Sequence, residues 1–531
     1  MTIEGNPSGG SLKHMLWVTA LVMSLGVFAA GEAAGELQSV QVGGGIRMRG
    51  RIFKNNWETT STPGALRIPD ELLLGRPIGP WGARSRFAWD SRVSDYDYVE
   101  QSTRVNVRAS FSHDIEGYVE FKSYHRWEDG AGGARLGNGA WAEGDPVHPD
   151  LWQAYVQADD FGLDGLRLRL GRQELELGKG WLISHRTGIS HRSFDGVRLA
   201  YEREGWGLDA WAVNSRHAGL ANLDGDTELY TVSGRYDAWE PAELEVYWIG
   251  ARDTDRPDDT GFRPPAAWVE DWWGVNQYDT TFLHTAGARV HGATGPWDYD
   301  LELATQWGDA GGLGQHFRIR RYGDNSARFD GNWATDGELG YTAEELAWEP
   351  RVGVGGAYYS GEDNRDITFR EWLNPFHRPE ASISFHRLFP AYSYGFLTDL
   401  VKGMTNFHQI RATATAHPHD QVTLDWSLAY YGVNETFDRP LSARVGRYQI
   451  PLAPGAPFVT ESSASDIGVV SHFILRYQHS PDWNVNLGWE RLFTGEGLRD
   501  GNFTHRNGLE FSGGTARDNA DLFYFDTSVR F

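Results

Sequence analysis

The feature that most constrains this chain is an apolar–polar alternation with a period of two residues, repeated along its length. From Trp483 to Trp489, for example, every second residue is large and apolar, and the residues between them are polar or small. Residues 297–304 and 421–430 show the same rhythm. Because successive side chains of a β-strand point to opposite faces, each segment is predicted to be a strand with one apolar and one wet face.

The connections between these segments alternate strictly between short turns and long polar loops. The predicted short turns are residues 112–115, 160–165, 204–206, 238–241, 292–296, 348–350, 417–420 and 479–482. The predicted long loops are residues 54–96, 127–149, 176–191, 218–226, 254–279, 309–336, 361–404, 435–464 and 495–519. We therefore expect an all-β fold, a closed antiparallel transmembrane β-barrel of about 18 strands with short periplasmic turns and long extracellular loops. Sixteen strands remain an alternative, since strand limits read from sequence carry an error of a few residues.

Both termini support export to an outer membrane. Lys13 and His14 precede an apolar run of residues 15–30 and then small residues, which predicts a cleaved signal peptide over residues 1–35 and a single barrel over residues 36–531. Near the end, Phe523, Phe525, Val529 and the terminal Phe531 share one strand face. This pattern looks like the signal read by the outer-membrane assembly machinery, which we expect to recognise Phe531.

Composition agrees with a barrel and excludes other classes. Aromatic residues make up 13% of the chain while the mean hydropathy is −0.50, too polar for a bundle of membrane helices. An aromatic-rich secreted sandwich or propeller would share this composition, but it has no reason to keep long and short loops at opposite ends. There is no cysteine, which excludes disulfides and thiol chemistry. The net charge of −23 makes nucleic acid an unexpected partner.

Arginine recurs on the polar face of many predicted strands. If the apolar face meets lipid, the polar face lines the lumen. The inward arginines are then Arg47, Arg49, Arg51, Arg104, Arg108, Arg167, Arg169, Arg198, Arg235, Arg289, Arg351, Arg411 and Arg476. Rings of guanidinium groups attract carboxylates and disfavour cations, so this pattern predicts an anion-conducting pore. Inward acids are predicted too, for example Asp209 and Asp526, and some arginines are expected to pair with them.

Other motifs give weaker indications. No nucleophile elbow, P-loop or HExxH motif is present, so we expect no enzymatic activity. His417 and His419 fit a polar turn better than a zinc site. Residues 361–366 are rich in oxygen ligands, but they lack EF-hand spacing and fit a solvated loop better than a calcium site. We therefore predict no metal or cofactor, with loop calcium as the alternative.

Several ordered motifs resemble the alginate export family of outer-membrane barrels. They are Leu168–Leu175 (LRLGRQEL), Ser193–Leu199 (SFDGVRL), Tyr358–Asn364 (YYSGEDN), and the stretch from Phe389 through Gly403 to Asn406. The resemblance spans residue 40 to the end. It implies an 18-stranded barrel with an arginine-lined constriction that passes a polyuronate outward.

By match to those motifs, Arg172 and Arg198 are expected to line the pore or anchor a loop, with Asp195 as a pairing partner. Arg172 is off the inward parity of its strand, so a bulge at Gly171 would be needed to turn it into the lumen.

Three functions remain open at this point. The first is a passive channel for an acidic polysaccharide or oligosaccharide, such as an alginate-like polyuronate, working with periplasmic export partners. The second is a general or uptake porin for small anions such as sugar acids. The third is a secreted polysaccharide-degrading enzyme or lectin. For either channel, acidic loops such as residues 253–259 are expected to bridge through divalent cations to lipopolysaccharide. Neither the polymer nor the direction of transport follows from the sequence.

Overall fold

The computed structural model describes most of the barrel wall and part of the loops. The described residues are 36–55, 84–87, 95–127, 150–186, 192–216, 227–253, 281–309, 328–361, 369–370, 384–398, 403–436, 439–440, 442–445, 448–451, 459–500, 503–505, 510–513 and 519–531. The predicted signal peptide, residues 1–35, and nearly all of the predicted calcium loop, residues 362–366, lie outside them.

Eighteen antiparallel strands form one sheet that closes on itself. The first nine are β1 (Leu37–Lys54), β2 (Tyr96–Phe111), β3 (Ile115–Trp127), β4 (Asp150–Ala158), β5 (Leu166–Gln173), β6 (Ser193–Arg203), β7 (Trp206–Arg216), β8 (Thr227–Trp239) and β9 (Ala242–Asp253). The other nine are β10 (Thr281–Thr294), β11 (Trp297–Asp309), β12 (Arg328–Thr342), β13 (Arg351–Tyr359), β14 (Phe407–His419), β15 (Val422–Val433), β16 (Asp466–Ser480), β17 (Trp483–Thr494) and β18 (Asn519–Arg530). Each strand pairs with its neighbours in sequence, and β1 pairs with both β2 and β18.

The predicted fold class is confirmed, including eighteen rather than sixteen strands. Eight connections are short turns that all lie at one end of the barrel, the short-turn end, and the long connections lie at the other, the long-loop end. One predicted boundary is wrong, since β12 begins at Arg328 although residues 309–336 were expected to form a loop. Thr335 and Gly337 occupy apolar-face positions of β12, so the apolar alternation is too weak there to reveal the strand.

The outer surface carries the apolar side chains that the alternation predicts. Val42, Val354 and Ile410 are 70%, 60% and 64% exposed, which soluble proteins avoid for a whole belt of aliphatic residues. Exposed tryptophans flank this belt, such as Trp239 toward the short-turn end and Trp307 toward the long-loop end. An apolar belt between two rings of aromatic side chains is the expected surface of a barrel in lipid.

No helix within the described ranges combines the length and the hydropathy needed to cross a membrane.

The last residue of the chain takes part in closing the sheet. Gly44 N–H donates to the Phe531 carbonyl at 2.9 Å, and Phe531 N–H donates to the Gly44 carbonyl at 3.1 Å. A Cβ at Gly44 would come within 2.8 Å of the Phe531 ring, so the ring lies directly over a position without a side chain. The terminal Phe531 is therefore part of the seam between β1 and β18.

Short elements lie in the long connections. A five-residue helix, α1, spans Glu496–Asp500 after β17. Ser442–Val445 pairs with Tyr448–Pro451, and Phe503–His505 pairs with Glu510–Gly513. These pieces stand apart from the closed sheet and do not alter its strand order.

Candidate permeation pathway

Two long connections contribute segments that turn back into the barrel. We call residues 174–186 the first inner loop and residues 384–398 with 403–406 the second inner loop. They join where Ser184 N–H donates to the Phe389 carbonyl and Phe389 N–H donates to the Leu182 carbonyl, both at 2.8 Å. Their apolar side chains form a buried cluster with inward side chains of the wall: the loop members are Leu175, Leu177, Trp181, Leu182, Ile183, Phe385, Leu388, Phe389, Tyr394, Leu397 and Met404.

The strand residues of this cluster show where it sits. Phe53 lies near the end of β1, Tyr98 near the start of β2, Phe194 near the start of β6, and Tyr359 at the end of β13, so the cluster lies in the long-loop half of the lumen. Burying each large side chain contributes roughly 1.5–3 kcal/mol, which gives the inner loops a packed core of their own. The inner loops therefore narrow the lumen as a fixed structure.

Lys179 fastens the first inner loop to the wall. Its ammonium group donates to Asp300 of β11 at 3.1 Å and to Asp336 of β12 at 2.9 Å. Burial lowers the pKa of Lys179, but the carboxylates of Asp336, Glu302 and Asp300 outweigh it and hold that pKa above its ordinary value. Lys179 is therefore a charged side chain that joins the first inner loop to two neighbouring strands of the wall.

The second inner loop is fastened to the wall by Glu490 of β17, five strands further along the sheet than β12. The two oxygens of this fully buried carboxylate accept the N–H groups of Phe396, at 2.9 Å, and of Leu397, at 2.6 Å. The Phe396 ring packs edge-on against Tyr524 of β18, and the Arg51 guanidinium lies 4.5 Å from the ring centre. Lys179 binds the first inner loop to β11 and β12, and Glu490 binds the second inner loop to β17. Because the two loops are also joined to each other, together they bridge the lumen.

The wall places most of the predicted arginines on its inward face. Arg47, Arg49, Arg51, Arg104, Arg108, Arg167, Arg169, Arg198, Arg351 and Arg411 all share the strand face opposite the exposed apolar residues. Most have an acidic partner. The ion pairs join Arg47 to Asp526, Arg49 to Glu100, Arg104 to Glu120 and Glu174, Arg108 to Glu116, Arg167 to Asp159, Arg198 to Asp209, Arg351 to Asp298 and Glu338, and Arg411 to Asp336 and Glu338. The lumen wall is thus a mixed ladder of both charges.

Two of these ten arginines form no ion pair within the part of the chain that the structure describes. Arg51 is 3% exposed and is covered by Phe396 of the second inner loop. Arg169 donates from Nε and Nη2 to the Gln157 side-chain oxygen, at 2.9 and 2.6 Å, and lies 4.3 Å above the Tyr155 ring. Neutral partners hold Arg169 in place without cancelling its charge.

Arg172 and Asp195 are not lumen residues. The register between β5 and β6 continues without a shift through Gly171, although that glycine has φ +125°, so Arg172 stays on the outward parity with Leu170. Its guanidinium pairs with Asp195 at 2.7 Å and donates to the Leu151 carbonyl at 2.9 Å. The prediction that these two residues line the pore is wrong because no bulge reverses the alternation, and the pair instead ties β4, β5 and β6 together on the outside.

Several important residues were not predicted. Asp336 fell inside a predicted loop, and Lys179 and Glu490 were not singled out. Asp336 and Glu338 alternate with Leu339 and Tyr341, which is the one sequence signal that could have revealed the inward acids of β12. Nothing in a strand pattern indicates that a connection folds inward.

One cluster has metal-binding side chains. Glu243, Glu245 and His291 lie near the short-turn end, with one ligand atom from each within 4.8 Å of the others. Arg289 Nη1 lies 3.3 Å from Glu245, so a guanidinium already occupies one carboxylate. We therefore interpret the group as part of the ion-pair network. The absence of a bound metal stays a prediction.

Comparison with known proteins agrees with this architecture. Residues 83–509 match the sequence model of the family described as alginate export. No curated protein sequence matches the chain. Among solved structures, OccK8 (OprE) of Pseudomonas aeruginosa superposes with a TM-score of 0.50 at 11% identity, over 94% of this chain and 99% of that chain. The outer membrane protein opdK of the same organism gives a TM-score of 0.49 at 9% identity, over 92% and 98%.

The likeness to OccK8 concerns the fold, and the family model concerns the sequence. The family's sequence model covers far more than half of the chain. The closed eighteen-stranded sheet with its apolar belt is the architecture of an outer-membrane channel. The short-turn end is therefore the periplasmic end, and the long-loop end faces the cell exterior. The chain belongs to the alginate export family of bacterial outer-membrane β-barrels.

Proposed function

We propose that the protein is a passive channel that passes an anionic polysaccharide or oligosaccharide, such as an alginate-like polyuronate, through an arginine-lined lumen. The observation that carries this proposal is Arg169, whose positive charge faces the lumen without an acidic partner among the described residues. Arg198 lies directly opposite it on β6. Arg198 is paired with Asp209 and the neighbouring Arg167 with Asp159, so the guanidinium of Arg169 leaves a local excess of positive charge.

The remaining ion pairs fit transport of a polymer rather than tight binding. A chain of carboxylates can replace the acidic partner of one arginine, release it and move to the next. Each exchange trades one charge-assisted hydrogen bond for another of similar strength. Conduction needs many weak sites in series, because a single tight site would stall the polymer.

Selectivity in planar bilayers tests this proposal. In a salt gradient, we expect the zero-current potential to indicate anion preference, and oligouronates to interrupt the current. Arg169→Gln should reduce both effects, while Arg172→Gln is a matched control because it removes the same charge outside the lumen. Cation preference of the unsubstituted channel, or equal effects of the two substitutions, would contradict the proposal.

The second candidate is an uptake porin for small anionic solutes such as sugar acids. The bridging inner loops favour it, since a narrowed lumen also suits small solutes. The two candidates differ in how block depends on length. A polymer channel should be blocked for longer as the oligouronate grows, whereas a small-solute porin should show no gain beyond the first sugar units. Neighbouring genes for polymerases and epimerases would favour export, and catabolic genes would favour uptake.

The proposal includes partners that follow from the location. We propose that the assembly machinery reads the C-terminal strand ending in Phe531, that lipopolysaccharide surrounds the long-loop end, and that periplasmic proteins deliver the polymer. No enzymatic step, cofactor or nucleic acid has a part in it.

A further inference from the structure

A recess of about 480 Å³ opens into the inner wall at the seam of the barrel, where β17, β18, β1 and β2 lie side by side. We propose that this recess is a saccharide-binding subsite for a uronate unit on the periplasmic side of the inner loops. The inference rests on the proposed function and deepens it by naming where the sugar first binds. The volume falls within the roughly 300–1,000 Å³ that is usual for small-molecule sites.

Glycine makes the recess. Gly43 and Gly45 occupy consecutive inward positions of β1, opposite Asn106 and Arg104 of β2. A Cβ at Gly45 would lie 3.0 Å from the carbonyl oxygen of Val529, so the strands approach closely and the wall is bare at this point. Larger neighbours on β2, β17 and β18 therefore surround a depression instead of a flat wall.

The polar groups around the recess match hydroxyl groups. Asn106 and Asn486 make no side-chain hydrogen bond in the part of the chain that the structure covers, and Asn484 donates to the Ser528 hydroxyl at 2.9 Å. Each amide offers both donors and an acceptor, and a sugar hydroxyl also donates and accepts. Asparagines without partners in a wet recess are therefore suited to a polyhydroxyl ring.

The charged groups argue against a simple inorganic anion. Glu120 and Asp526 line the recess beside Arg104 and Arg47, which they already neutralise. These carboxylates repel a free anion but accept hydrogen bonds from hydroxyls. Arg530 at the rim forms no ion pair within the described ranges, so its guanidinium is available to a carboxylate. A sugar ring that carries both hydroxyls and one carboxylate satisfies the whole set.

The position of the recess gives it a place in transport. Ser528 and Arg530 end β18, and Asn484 begins β17, so the recess lies at the short-turn end, below the inner loops. A polymer that enters from the periplasm meets this subsite before it reaches the constriction. The subsite would hold the leading sugar in line with the lumen.

The test uses the full-length channel in planar bilayers, with short oligouronates added to each side in turn. Asn106→Leu combined with Asn486→Leu removes two neutral hydrogen-bonding groups, so the residence time of blocks from the periplasmic side should fall at least about tenfold. Thr423→Leu is the control, since it places the same apolar side chain on the inner wall outside the recess. Conductance in salt alone should be unchanged.

A second variant keeps the inference testable if the double variant fails to fold. Asn486→Asp keeps the size and polarity of the side chain but adds a negative charge. Because it removes the amide donors and also adds a charge, it should shorten blocks by oligouronates more than blocks by neutral oligosaccharides of the same length. Residence times equal to those of Thr423→Leu would overturn the subsite while leaving the proposed function in place. If oligouronates do not block even the unsubstituted channel, both fall.

Discussion

Replacing Glu490 with Gln should release the second inner loop from the barrel wall. The carboxylate is 0% exposed and accepts one backbone N–H on each oxygen, from Phe396 and Leu397. Glutamine offers a single acceptor oxygen, so its NH₂ group must face the other backbone N–H. The substitution therefore breaks one charge-assisted bond, weakens the second, and sets two donors against each other.

The size of the effect follows from these contacts. Hydrogen bonds to a charged group contribute roughly 1.5–3 kcal/mol each, and a buried donor left without a partner costs a similar amount. We expect the seated loop to lose about 2–3 kcal/mol relative to a released loop, which changes their equilibrium by about 30- to 150-fold. The Phe396 contacts with Arg51 and Tyr524 remain, so the barrel itself should stay folded.

Two measurements follow this change. Amide hydrogen exchange of residues 384–398 should accelerate, and single-channel recordings should show larger or noisier current steps. Glu116→Gln is the matched control, because it makes the same chemical change at another inward glutamate. Glu116 pairs with Arg108 and contacts neither inner loop among the interactions that the structure gives. If both variants leave exchange in residues 384–398 at the unsubstituted rate, the idea that Glu490 holds the loop is refuted.

Three further outcomes are expected. Lys179→Met leaves two inward carboxylates without their lysine and should shift the zero-current potential toward cations, whereas Lys54→Met, at the outer rim, should not. Gly44→Ala places a Cβ 2.6 Å from a neighbouring backbone oxygen and against Phe531, which should lower the free energy of unfolding by about 1–3 kcal/mol. The folded fraction seen by heat-modifiable gel mobility should therefore fall. Gly117→Ala, with its nearest contact at 3.8 Å, should fold normally. Higher ionic strength should weaken oligouronate block, and an unchanged block would exclude an electrostatic origin.

The wall of the barrel was predictable because lipid leaves little choice. Outward residues must be apolar on every strand, so parity alone assigns Arg47, Arg104 and Arg411 to the lumen. The rule fails where outward residues are small, as at Gly337, and the start of β12 was missed for that reason. At Arg172 the alternation and the family motif disagree, and the alternation correctly places the side chain outside the lumen.

The inner loops could not be predicted in the same way. Their fold depends on contacts between residues far apart in sequence, such as Ser184 with Phe389 and Leu397 with Glu490. A loop that packs inside a lumen has no period to detect, and its apolar residues resemble those of any exposed aromatic loop. The pairing of each arginine depends on the register between strands, which sequence parity does not supply.

The bridge between the two inner loops has a consequence for assembly. The first loop belongs to the early strands and the second to the late ones, so the bore reaches its final width only after nearly the whole wall is in place. A closed wall whose inner loops are not yet seated would have a wider bore than the mature barrel. A cell that makes this protein is therefore exposed to leakage during insertion, and selection should favour sequences whose last strands and inner loops lock together quickly.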